Sequence, residues 1–205
     1  MAELLLELYS EEIPPQLQIT ARSQIKQFIE NSLKDENIRY KKLSVFSSPT
    51  RLTLLIKDLP EKIKREAKEI KGPKVDSPDQ VVQGFIRAKN INKKDLIEKD
   101  TNRGKFYFIK TQSKSILAED LFIKIIPKAI GSINWKKSMK WSYHNLMWGR
   151  PLRSIFATFN NKKLSFKFEH LDSTEEVIIE RDLITKTKKI KNFKDYLSFL
   201  KSEKI

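Results

Sequence analysis

The residues best suited to chemistry crowd into one stretch, Trp135-Lys136-Lys137-Ser138-Met139-Lys140-Trp141, followed by Met147-Trp148-Gly149-Arg150-Pro151-Leu152-Arg153. All three tryptophans of the chain lie there, beside five basic residues. Aromatic faces stack on unpaired bases while Lys and Arg neutralise phosphate, so the block suits a single-stranded RNA surface. A second reading stays open: the tryptophans anchor a core and the cations form its solvated rim. Lys136, Lys137, Lys140 and Arg153 make one candidate phosphate patch, and Lys186, Lys188, Lys189, Lys191 and Lys194 make another. Trp135, Trp141, Trp148, Arg150 and Pro151 are the candidates for a structural or interface role. Trp141 is expected to be buried, and Arg150, beside Pro151 at a strand start, to satisfy backbone carbonyls. Neither patch carries repeated base-reading side chains, so RNA binding through them is expected to be weak, non-specific and salt-sensitive.

Catalytic signatures are missing. With five glycines in all, the chain has no Gly-x-Gly-x-x-Gly and no P-loop, so no glycine-rich phosphate cradle forms locally. Gly-x-Ser-x-Gly is missing too. His144 and His170 are far apart, and in a chain without cysteine neither has the partners that zinc requires. Both are expected at the surface or in a strand. Glu11-Glu12, Glu119-Asp120 and Glu175-Glu176 are adjacent pairs, which in a strand point to opposite faces rather than forming an acid/base dyad. Glu11-Glu12 also suits a helix start, where it complements the dipole. No catalytic group, metal or cofactor site is expected.

Forty-one Lys and Arg against 26 Asp and Glu leave a formal charge of +15 and a pI near 9.8. Such a field favours polyanions, nucleic acid first among them. The joint richness in Lys, Ile and Asn is also what an A+T-rich genome produces, so the charge does not by itself locate a site. A hydrophobic content of 39% fits a folded chain. The lack of cysteine suits a reducing cytosol. Glu3 and Glu7 interrupt the first apolar run, which reads as a strand rather than a signal peptide. No stretch approaches the roughly 18 apolar residues of a membrane span, so a soluble, cytoplasmic protein with no membrane partner is expected.

The elements that must position the block follow from periodicity. Leu4, Leu6 and Leu8 alternate with Glu3, Glu7 and Tyr9 as in a half-buried strand. Pro14-Pro15 then opens a helix carrying Leu17, Ala21, Ile25, Phe28, Ile29 and Leu33 to about Glu36. Leu43–Phe46 and Arg51–Lys57 read as strands around a Ser47–Thr50 turn. Glu61–Lys71 suits a helix or a solvated edge strand equally. Ser77-Pro78-Asp79-Gln80 predicts a capping box and a helix to about Lys89. Asn102-Arg103-Gly104 is a turn before a strand Lys105–Gln112 with Phe106 and Phe108 on one face. Ser115 is expected to cap a helix kinked at Pro127, and Leu152–Phe159 and Lys163–His170 to form a hairpin across Asn160-Asn161. Val177–Glu180 adds a strand, and Asn192 caps a last helix. The fold class is α+β (mixed α/β): strand–helix units with antiparallel strands, in two small subdomains, 1–131 and 132–205.

Several landmarks, in this order from residue 3 to about 171, resemble the β subunit of bacterial tetrameric glycyl-tRNA synthetase. Ser10-Glu11-Glu12-Ile13-Pro14-Pro15 is similar to that family's Thr/Ser-Glu-Glu-Leu/Ile-Pro-Pro turn between strand and long helix. Ser48-Pro49-Thr50-Arg51-Leu52-Thr53-Leu54, Gly72-Pro73 and Gln83-Gly84-Phe85-Ile86-Arg87 are similar to its Pro-Arg-Arg-Leu, Gly-Pro and Gly-Phe-Ala-Arg segments. Lys137-Ser138-Met139-Lys140-Trp141 and Trp148-Gly149-Arg150-Pro151-Leu152 resemble its Lys-Ser/Leu-Met-Arg-Trp and Phe-Val/Ala-Arg-Pro-Ile/Val segments. Gly149 departs from the usual Val or Ala, and Ile179-Glu180-Arg181-Asp182-Leu183 stands where the family carries Gly-His-Arg-Phe.

The resemblance implies a non-catalytic N-terminal part of a glycine–tRNA ligase. In that family the α subunit holds the class II core that activates glycine with ATP and Mg²⁺. The β subunit engages tRNA(Gly) and the α subunit in an α2β2 tetramer. It also implies HD-like and anticodon-binding domains downstream, so the chain is expected to be a fragment or a truncated reading frame, with tRNA identity read elsewhere. The alternatives are a stand-alone basic RNA-binding module and a structural scaffold fragment.

Overall fold

The computed structural model describes residues 1–65, 69–102, 104–110, 113–141, 143, 145–181 and 184–205, with the backbone alone at residues 65, 114 and 181. Two compact units divide the chain: residues 1–63 with 117–205, and residues 64–116. The first unit begins with β1 (Ala2–Ser10), α1 (Pro15–Asp35), β2 (Lys42–Ser48) and β3 (Arg51–Leu59). The chain leaves it through β4 (Lys62–Arg65). Next come β5 (Glu69–Lys74), α2 (Asp79–Lys89), β6 (Leu96–Thr101) and β7 (Gly104–Lys110). It returns through β8 (Lys114–Leu117), which pairs with β4, to α3 (Ala118–Gly131) and the two-residue strands β9 (Met139–Lys140) and β10 (Met147–Trp148). The unit ends with β11 (Leu152–Phe159), β12 (Lys162–Lys163), β13 (Lys167–Phe168), β14 (Leu171–Thr174), β15 (Glu176–Arg181), β16 (Ile184–Lys189) and α4 (Phe193–Ser202). This is an α+β architecture. The compact units do not divide at the expected 131/132 boundary, because β1 pairs with both β3 and β11 in one sheet.

That sheet runs β13-β14-β11-β1-β3-β2, with β12 beside β11. The registers set Leu4, Leu6 and Leu8 beside Ile56, Leu54 and Leu52 on one side and Phe159, Ala157 and Ile155 on the other. Helices cover this first face. α3 brings the Phe122 ring to 5.5 Å from Phe159, and α1, which packs against α3, buries Ala21, Ile25, Ile29 and Leu33 at the helical spacing. Each large side chain buried there contributes about 1.5–3 kcal/mol.

The half-buried reading of β1 is overturned: every residue from Leu4 to Ser10 is buried. Its second face carries Glu3, Leu5, Glu7 and Tyr9, which alternation sets beside Arg51, Thr53 and Leu55 and beside Ser154, Phe156 and Thr158. Leu5, Leu55 and Phe156 share a second core with Val177, Ile179, Ile190, Tyr196 and Phe199. A sheet covered on both sides loses the simple in/out pattern that sequence reading relies on.

Local signals mostly hold. Pro15 starts α1, Asn160 and Asn161 both take positive φ at the β11–β12 turn, and Asn192 Oδ1 accepts the Asp195 N–H at 3.0 Å to cap α4. Two caps do not. Ser115 lies in β8, and the Ala118 N–H that opens α3 donates to the Glu61 carbonyl at 2.9 Å, so no side-chain cap is used. Ser77 makes no capping bond either; the Pro78 carbonyl accepts from Val81 and Val82. For Glu61–Lys71, where helix and edge strand are equally expected, Lys62–Arg65 and the start of β5 take the strand alternative. Strand β12 covers one residue of the expected Lys163–His170 strand, and β13 two more. Arg103, Thr111, Gln112, Ala67 and the Asp182-Leu183 part of the divergent segment lie outside the described residues. Among the described residues no helix is long and apolar enough to cross a membrane.

Gly149 explains its own departure from Val or Ala: a Cβ there would come within 2.5 Å of the Trp135 ring. By contrast a Cβ on Gly84, inside α2, meets nothing within 4 Å. Gly149→Val should therefore lower the thermal midpoint by several degrees, since a packed indole must move. Gly84→Ala should stabilise the inserted unit by about 0.5–1 kcal/mol through its helix propensity. Urea unfolding followed by circular dichroism and by amide exchange within α2 checks both signs.

Candidate functional site

The turn after β1 is held by its two neighbouring loops. Ser10 N–H donates to the Thr50 carbonyl at 2.9 Å, Glu11 N–H to Pro151 at 3.0 Å and Ile13 N–H to Pro49 at 2.7 Å. Two prolines, which lack an N–H of their own, thus serve through their carbonyls. Arg150 Nε donates to the Glu12 carbonyl at 3.3 Å, as its place beside the buried Pro151 suggested. Around this turn opens a cleft of about 610 Å³ lined by Tyr9, Ser10, Glu11, Glu12, Thr50, Met139, Arg150, Arg153 and Glu180. Helix α1 begins only at Pro15, so Glu11 serves Arg153 rather than a helix dipole.

The cleft is electrically mixed. The Arg153 guanidinium lies 3.5 Å from Glu11 and 3.4 Å from Glu180, and 6.0 Å from the Trp141 ring. Its charge is therefore shared with two carboxylates, unlike the free cation a phosphate patch needs. Tyr9 Oη donates to Glu180 Oε2 at 3.1 Å, and its hydroxyl pKa is raised by burial and then by Glu180.

Beneath the cleft sits a buried polar cluster. Arg51 Nη1 donates to Glu7 Oε1 at 2.7 Å, with the pair 4% and 1% exposed. Tyr196 Oη donates to the other Glu7 oxygen and lies 3.0 Å from Thr53 Oγ1. Arg51 also donates to the Ile178 carbonyl and lies 4.7 Å over the Tyr9 ring. Burial pushes the Glu7 carboxyl up, against the downward pull of Arg51 and Tyr196; burial and Glu7 together push the Tyr196 hydroxyl up. Sequence reading assigned no role to these residues. The one signal was a carboxylate inside the run Leu4-Leu5-Leu6-Glu7-Leu8.

The structure splits the tryptophan block. Trp135 and Trp148 are buried, their rings 4.9 Å apart, with Phe168 6.4 Å from Trp148. The expectation for Trp141 is corrected: it is 40% exposed, because Trp135 and Trp148 close the core without it and the chain has already passed β9. Lys136, Lys137 and Lys140 are all exposed, and Lys140 donates to Asn145 at 3.3 Å. In the second cluster, Lys186 pairs with Glu203 at 2.9 Å and Lys189 with Glu175 at 2.7 Å. The Lys189 ammonium holds the Glu175 carboxyl below its usual range and is itself raised. Lys188 lies 5.4 Å over Phe199, and Lys191 and Lys194 are exposed. His170 sits at the β13–β14 turn, and His144 lies outside the described residues. Among the described residues no group of three His, Cys, Asp or Glu could hold a metal.

The family model described as "Glycyl-tRNA synthetase beta subunit" matches residues 4–205. The chain is 35% identical over 196 residues to the glycine–tRNA ligase beta subunit of Rickettsia akari (strain Hartford), covering 96% of this chain and 30% of that relative. The corresponding protein of Rickettsia felis is 34% identical over 198 residues, and that of Rickettsia prowazekii 35% over 196. The matched part is the N-terminal portion of these relatives, so the chain spans about three tenths of their length.

Two stability experiments separate the buried groups from the exposed ones. Arg51→Met alone should cost about 3–5 kcal/mol, because it strands the Glu7 carboxyl in the core. Glu7→Leu combined with Arg51→Met should cost much less than the two single changes summed, as a urea double-mutant cycle would read. Trp148→Ala should cost about 3–5 kcal/mol, whereas Trp141→Ala should stay within about 1 kcal/mol of the parent in the same assay.

Proposed function

The chain belongs to the glycyl-tRNA synthetase β-subunit family, and on that premise we propose that it works as the N-terminal, non-catalytic part of a glycine–tRNA ligase β subunit. The match over residues 4–205 carries this reading. The ligase attaches glycine to tRNA(Gly) at the expense of ATP. The class II chemistry, with its ATP and Mg²⁺, belongs to a partner α subunit, in an α2β2 assembly in the cytoplasm. This part contributes contacts to tRNA and to that partner. The mixed cleft supports a non-catalytic role for its groups, since its arginines are occupied by Glu11, Glu180 and the Glu12 carbonyl. Phosphate contact falls to the exposed lysines: Lys136, Lys137 and Lys140 on one patch, Lys191 and Lys194 on the other.

Glycine-dependent pyrophosphate exchange by the purified chain alone should not rise above a no-enzyme control; activity there would overturn the assignment of chemistry to a partner. Filter binding of tRNA across a salt series tests the contacts. Lys136→Ala/Lys137→Ala/Lys140→Ala should weaken all RNAs alike and flatten the slope of log K against log salt by about 0.7–0.9 for each phosphate no longer neutralised. A strong preference for tRNA(Gly) that survives physiological salt would show that this portion reads identity itself.

A further inference from the structure

Strand β7 is the middle strand of the three-stranded sheet β5-β7-β6. Phe106 and Phe108 lie two residues apart on it, so their rings rise from one face, about 7 Å apart along the strand. The registers set Lys71 and Ile97 beside Phe108, and Lys74 and Lys99 beside Phe106. The Lys71 ammonium sits 3.5 Å from the Phe106 ring centre, Lys74 lies 5.8 Å from the same ring, and Lys99 5.7 Å from that of Phe108. Helix α2 packs against β5, with the Phe85 ring close against Gly72, and Ile109, on the face opposite the two phenylalanines, is buried. The phenylalanine face is more open: both rings are half-buried and Ile97 is 43% exposed.

Paired rings on a middle strand, with ammonium groups on both flanks, match what successive unpaired bases require: π-faces to stack on and cations for the phosphates between them. The face carries one described carboxylate, Glu69, already paired with Lys99 at 2.6 Å, so Lys71, Lys74 and Lys110 leave it positive. The Lys71 ammonium covers one side of the Phe106 ring. A base arriving there takes the ring, and the ammonium moves to the adjoining phosphate. A duplex hides its base faces and an acidic peptide has none, so neither uses the rings. We propose that this sheet face binds an unpaired polynucleotide strand, with neighbouring bases on Phe106 and Phe108 and phosphates at Lys71 and Lys74. The proposal rests on the sheet alone and stands apart from the ligase reading.

The test uses the full chain and fluorescence anisotropy with three labelled probes: a ten-nucleotide oligouridine, a ten-base-pair RNA duplex and a ten-residue glutamate peptide. Phe106→Leu/Phe108→Leu should weaken oligouridine binding by roughly tenfold or more while leaving the duplex unchanged. Lys71→Gln/Lys74→Gln should flatten the salt slope for oligouridine by about 0.7 for each phosphate no longer neutralised. Photo-crosslinking of 4-thiouridine RNA to the unsubstituted chain keeps the test independent of variant folding, and its adducts should map to the peptide 104–110. Unchanged oligouridine binding by a folded phenylalanine variant would overturn the proposal. So would cross-links confined to other segments, or a glutamate peptide that competes as well as oligouridine.

Discussion

One buried ion pair sets the terms for the larger unit. Glu7 sits in the middle of a strand whose every neighbour is apolar or inaccessible, and its charge is tolerable only because Arg51 and the Tyr196 hydroxyl meet it. Stripping water from both charges costs more than their attraction returns unless the remaining donors and acceptors are also used. Most are used here by elements far apart in the chain: Arg51 Nη2 reaches the Ile178 carbonyl on β15 and Tyr196 belongs to α4, while Arg51 Nε stays buried without a partner among the described residues. The pair therefore ties the last helix and the β15 strand to the first strand. Glu3, on the same face of β1, extends the tie by accepting the first N–H of α4 from Phe193 at 2.7 Å.

This constraint explains why the second face of the sheet is a core at all. Without α4 and β15, Leu5, Leu55 and Phe156 would face water, and a single-faced sheet would suffice. With them, β1 becomes a strand that cannot slip by one residue: a slip would put Glu7 under the helices of the first face and Leu6 beside Arg51. Burial of a charge is costly for stability, but it specifies register strongly.

The basic character of the chain divides in the same way. Arg51 is structural, Arg153 is held between carboxylates, and Lys186 and Lys189 are engaged by Glu203 and Glu175. Of the two candidate clusters, Lys136, Lys137, Lys140, Lys191 and Lys194 stay exposed, and in the inserted unit Lys71 and Lys74 border Phe106. Net charge alone overstates the number of cations free to meet phosphate, because a paired ammonium has to surrender a carboxylate first.

The sequence by itself determined the family, through short motifs in order, and most element boundaries, through caps and periodicity that act within one turn of chain. Pro15, Asn160-Asn161 and Asn192 were legible because each acts on its own backbone. Tertiary structure alone decided that Glu7 is buried, that Ser115 is strand rather than cap, and that Trp141 stands outside a core closed by Trp135 and Trp148. It also decided that Phe106 and Phe108 form a face bordered by lysines from two other strands. Each of these depends on a partner that is distant in sequence. Local propensity carries no record of what will cover a second sheet face, so the same residues read alone imply a half-buried strand, a helix cap and a core tryptophan.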